Sequence, residues 1–71
     1  MLQIGDRVDW RGSWGHDAPQ RVTVTGIEHV AVGEKHGEAV EAMAWTEMDH
    51  AVVSLDNGHW AYGYQLTRIA R

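Results

Sequence analysis

The sequence predicts an all-β fold: a compact barrel or strongly bent sheet of about five strands, in a single domain spanning residues 1–71. Three observations carry this reading. β-Branched and aromatic residues recur at period two in short runs, as in Arg21-Val22-Thr23-Val24-Thr25 and Trp60-Ala61-Tyr62-Gly63-Tyr64. Asn57-Gly58 joins two such runs and is the strongest short-range hairpin signal a sequence can carry. No long segment keeps a clean 3.6-residue period.

Each element follows from its residues. In Leu2 to Trp10 the apolar Ile4, Val8 and Trp10 alternate, predicting a first strand with a turn or bulge at Gly5-Asp6. Arg11 to Gln20 holds Gly12, Ser13, Gly15, Asp17 and Pro19, which is loop chemistry and longer than the usual hairpin turn. Arg21 to Glu28 is a second strand with Val22 and Val24 on one face and a bend at Gly26. Residues 29–49 are an excursion: Gly33 and Gly37 flank a turn, and Glu38 to Met48 contains good helix formers with Val40, Met43, Ala44 and Met48 near helical spacing. A short helix or helical turn ending near Asp49 is expected. If Asn57 and Gly58 are the two central residues of a type I′ turn, Asp56 faces His59, Leu55 faces Trp60, Val53 faces Tyr62 and Ala51 faces Tyr64. Alternation then places Leu55, Val53, Trp60 and Tyr62 on one side, predicting an aromatic core stripe, with an exposed platform as the competing reading. Gln65 to Ile69 forms a last short strand.

A domain this short buries only roughly 60% of its unfolded surface. Four tryptophans and two tyrosines supply the bulk that a small core needs. The absence of cysteine rules out disulfides and thiolate metal sites and favours a reducing compartment. No apolar run is long enough to span a bilayer and the first residues lack a signal-peptide pattern, so a cytoplasmic protein that does not engage membranes is expected. The net charge of −4 is concentrated in residues 28–50, where Glu28, Glu34, Glu38, Glu41, Glu47 and Asp49 stand against Lys35 alone. Without a basic cluster the chain is a poor candidate for nucleic-acid binding, whose affinity comes from neutralised phosphates.

The order Ile4-Gly5-Asp6-Arg7-Val8, a long first loop, Val22-Thr23-Val24-Thr25-Gly26-Ile27, then Ala51-Val52-Val53-Ser54-Leu55-Asp56-Asn57-Gly58 resembles the small SH3-like barrels, with a Tudor-like or KOW-like layout. It is also similar to uncharacterised small proteins of bacteria and their phages. The resemblance implies a barrel and no particular activity, since such folds host many functions.

Candidate site residues cluster in the first loop. Trp14 stands between Ser13 and Gly15, where periodicity offers it no core face, and a tryptophan in such a place marks either a binding surface or a lid over the barrel. Trp10, Arg11, His16, Asp17 and Arg21 complete the candidate binding set. Ser13, His16 and Asp17 are the residue types of a hydrolytic triad, but three residues in one loop do not converge from a rigid frame, and no catalytic residues are assigned. His16, His29, His36, His50 and His59 lack metal-ligand spacing, so neither a metal nor a cofactor is expected. His59 opposite Asp56 reads as an exposed cross-strand pair.

These features predict a non-enzymatic binding or adaptor module that engages a protein partner through the Arg11–Asp17 loop. A rival reading is a protein that sequesters a small ligand or nucleotide, with Arg11 and Arg21 meeting phosphate while Trp14 stacks on a base. A second rival is an acidic mimic of nucleic acid built on residues 34–49, and a third is self-association as a homodimer through an uncovered sheet edge.

Overall fold

The computed structural model describes residues 1–12, 16–31, 33, 34 and 37–69. Among the described residues eight strands are arranged in two antiparallel sheets: β1 (Leu2–Gln3), β2 (Arg7–Trp10), β3 (Gln20–His29), β4 (Glu38–Val40), β5 (Ala42–Met43), β6 (Ala51–Leu55), β7 (Trp60–Tyr62) and β8 (Leu66–Arg68). A 3-10 helix, Trp45–His50, leads into β6, and another, Gly63–Gln65, links β7 to β8.

The expected first strand is split. Gly5 adopts φ 96°, the left-handed region that glycine enters at little cost, and the turn is closed by Asp6 N–H to Gln3 carbonyl (3.1 Å) and Gln3 N–H to Asp6 Oδ2 (3.0 Å). β1 therefore leaves β2 and pairs with β5, Leu2 opposite Met43, burying Leu2 while Ile4 is left exposed at the turn.

The ten-residue β3 organises the larger sheet, whose strand order is β7-β6-β3-β2-β8, with β4 also paired to β3. Its first half pairs with β2 (Val8 opposite Val22) and its second half with β6 (Ile27 opposite Val53) and β4 (Ile27 opposite Val40). The register with β6 shifts between Val24 and Gly26, a β-bulge that bends the strand where the glycine predicted a bend. Alternate residues Val22, Val24 and, past the bulge, Ile27 point inward against Val8, Trp10, Val53, Leu55 and Leu66. Neither sheet closes on itself, which corrects the barrel expectation. The sheet's two ends, β7 and β8, are three residues each, and the short 3-10 connection carries the chain from one end to the other without pairing them.

Residues 38–43, with their good helix formers, are extended. The free edge of β3 offers β4 a full set of antiparallel bonds, and the entry is pinned by Gly37 N–H donating to Glu28 Oε1 at 2.8 Å. Tertiary pairing outweighs a propensity difference of only tenths of a kcal/mol per residue. The expected helical turn lies later, at Trp45–His50; it is kinked at Glu47 and buries Met48.

The hairpin differs from expectation by one residue. Leu55 faces His59, its N–H donating to the His59 carbonyl at 2.9 Å, and the pairs beyond are Ser54–Trp60, Val53–Ala61 and Val52–Tyr62. Only Gly58 (φ 84°) is left-handed, whereas a type I′ turn needs positive φ at Asn57 as well, so the loop is the three-residue Asp56–Gly58 with a glycine bulge. Asp56 decides this. Its N–H donates to the Thr23 carbonyl (3.0 Å) and its Oδ1 accepts the Thr23 N–H (3.1 Å), which fastens it to β3 as loop residue rather than as partner of His59.

Candidate functional site

A one-residue slip turns every side chain of β7 to the opposite face. Ala61, fully buried, takes the inward position assigned to the aromatics, and Trp60 (57% exposed) and Tyr62 (43%) stand on the solvent side with Tyr64 (63%). The core-stripe expectation for Trp60 and Tyr62 is thus overturned. Inner space explains why: a Cβ on Gly63 would lie 2.7 Å from the Met48 carbonyl oxygen and 2.8 Å from Ala51 Cβ, so the cleft between β7 and the first 3-10 helix admits only Ala61 and Gly63.

The three exposed rings form one continuous surface. Trp60 and Tyr62 meet edge to face, centroids 5.2 Å apart at 89°, and Tyr62 stacks on Tyr64 at 5.5 Å and 6°. Both are favoured geometries for aromatic quadrupoles. The row is held from below by the β6–β7 pairing and at its end by Tyr62 N–H donating to Gln65 Oε1 (2.9 Å). The first 3-10 helix packs against β7 and the second 3-10 helix, and carries Glu47 and Asp49, both exposed.

The loop residues singled out by sequence are divided. Trp10 is buried (5% exposed), its ring 5.1 Å from that of His59 at 37°, and its Nε1 has no hydrogen-bond partner among the described residues. His59 thus packs on Trp10 instead of pairing with Asp56. Arg11 and His16 are exposed; the Arg11 carbonyl accepts the Asp17 N–H (3.1 Å), closing the loop, and the Asp17 carboxylate lies against Gly12, where it leaves no room for a Cβ. Trp10, Asp17 and His59 border a groove of about 600 Å³ with Pro19. Trp14 lies outside the described residues. Arg21 is elsewhere, on the face of β3 where its Nε approaches Asp9 Oδ1 at 3.6 Å.

Among the described residues no three histidine or acidic side chains gather as a metal site, and no helix is long and apolar enough to cross a membrane. The alternation Trp-Ala-Tyr-Gly-Tyr was the signal for the exposed row: small residues between large ones suit a tight inner cleft as well as large ones suit a core. Comparison with protein-family models, with curated proteins and with solved structures finds no match for this chain.

Proposed function

We propose that this chain is a non-enzymatic binding module that engages a basic, extended segment of a protein partner across Trp60, Tyr62 and Tyr64. The observation that carries the reading is the exposure of three large aromatic rings in one contiguous row on a domain of 71 residues. Large exposed apolar patches mark interaction sites, and tryptophan and tyrosine dominate binding hot spots. Charge selects the partner. Arginine and lysine side chains gain about 0.5–2 kcal/mol over an aromatic face, and the chain carries −4 overall. The strand order, the long loop between β2 and β3, and the 3-10 connection that returns β8 to β2 support an SH3-like arrangement, here with the sheet left open.

A displayed library of random peptides, selected on the parent and on Trp60→Ala and Tyr64→Ala variants, tests this. Selected peptides should be rich in arginine and lysine and should lose about 2 kcal/mol or more on Trp60→Ala. Equal binding by both variants refutes the reading, as does a chain that buries the row in a homodimer.

The loop groove supports a second reading, because Trp10, Asp17 and His59 converge there. Peptides whose binding is lost on Asp17→Asn but kept on Trp60→Ala would favour it.

A further inference from the structure

Three of the five arginines line one groove, in a chain whose net charge is negative. Arg7 comes from β2, Arg21 from β3 and Arg68 from β8, three neighbouring strands. Arg7 is opposite Thr23 and Arg21 lies two residues from Thr23, which makes the two guanidinium stems diagonal neighbours on one sheet face. Arg68 lines the groove from β8, where its pairing with Val8 sets it on the other face of the sheet from Arg7 and Arg21.

Each guanidinium has donors to spare. Arg7 Nη1 donates to Thr23 Oγ1 (3.1 Å), which orients the side chain and leaves its other N–H groups free. Arg21 meets Asp9 only at 3.6 Å through Nε, beyond good hydrogen-bond length. The Arg68 side chain has no hydrogen bond or ion pair among the described residues. The acid among the residues lining the groove, Asp6, already accepts the Gln3 N–H. The remaining walls are apolar and include the half-buried Trp45 indole and Ile69. At about 1010 Å³ the groove is far too large for a lone inorganic anion and matches the upper range of small-molecule sites.

We propose that this groove binds a phosphorylated small molecule bearing a planar ring, with Arg7 and Arg21 taking the phosphates from one face of the sheet, Arg68 reaching them from the other wall of the groove and Trp45 covering the ring. Guanidinium forks match phosphate oxygens in pairs, and indole stacks on flat heterocycles. The site is independent of the aromatic row, so peptide binding there neither requires it nor excludes it.

Calorimetry on the full chain with ATP, tripolyphosphate and adenosine tests the proposal. ATP is expected to bind about tenfold or more tighter than tripolyphosphate, and Arg68→Gln or Arg7→Gln to weaken ATP by about tenfold each, the loss of one charge-assisted contact. Arg11→Gln, outside the groove, should leave ATP binding unchanged. Failure of both ATP and tripolyphosphate to bind overturns the proposal, and so does binding that survives Arg7→Gln and Arg68→Gln but falls with Arg11→Gln. Equal affinity for ATP and tripolyphosphate overturns the role given to Trp45. Circular-dichroism melts of each variant separate lost contacts from lost fold.

Discussion

Trp60→Ala and Ala61→Leu, neighbours in one strand, should have opposite consequences to those that aromatic size alone suggests. Trp60 is 57% exposed, so it buries somewhat under half of its surface. A full tryptophan buries up to about 250 Å², so its covered part is on the order of 65–110 Å² and contributes about 1.6–2.7 kcal/mol at roughly 25 cal/mol per Å². Denatured chains already bury part of that area, which lowers the expected cost to about 1–2 kcal/mol. A core tryptophan would cost about 3–5 kcal/mol. Ala61 has no exposed surface and faces Val53, so three added carbons must displace packed neighbours at about 1–3 kcal/mol or more. Total stability for a chain of this length is on the order of 4–10 kcal/mol, so both losses are measurable against a folded baseline. Urea titrations followed by far-ultraviolet circular dichroism, which does not depend on the deleted fluorophore, give both values from the midpoint at constant slope. A loss of about 4 kcal/mol for Trp60→Ala with a neutral Ala61→Leu would restore the two-residue turn and refute the register.

Gly58→Val should lower stability by about 1–2 kcal/mol in the same titration, because its φ of 84° is costly for a β-branched residue even though nothing crowds the site. Gly63→Ala should cost at least as much for the opposite reason, its new Cβ meeting the Met48 carbonyl at 2.7 Å, and a stabilised variant would show that the cleft can open. Asp9→Asn, which breaks a long and partly exposed ion pair with Arg21, should change stability by less than about 1 kcal/mol, a difference that added salt reduces.

Where local chemistry decided the structure, the residues announced it. Gly26 marked the bend in β3, the Arg11–Gln20 composition marked the long loop, and the alternation of Val22 and Val24 marked the inward face. The hairpin register was not local. Asp56 is fixed by Thr23, 33 positions earlier, and no feature of Asn57-Gly58 reports that bond. Trp-Ala-Tyr-Gly-Tyr alternates equally well with either set inward, so the choice fell to the space beside Met48. The strands at Glu38–Val40 and Ala42–Met43 were hidden in the same way, their helix-forming residues overruled by free edges on β3 and β1. Consequently the loop was legible as a feature, while the exposed aromatic row was legible only as one of two faces.

The bond from Tyr62 N–H to Gln65 Oε1 has a bearing on how such a chain survives at high concentration. A terminal strand bordered by tryptophan and tyrosine is the kind of template on which further strands deposit, because its outward main-chain groups and its rings invite the same neighbour. By occupying one of those groups with its own side chain, and by ending β7 after three residues, the chain shortens the ladder while keeping the rings. For the binding proposed above, a single glutamine would then separate adhesion from polymerisation: Gln65→Ala should leave the rings in place yet raise the rate of thioflavin-positive aggregate formation on prolonged incubation.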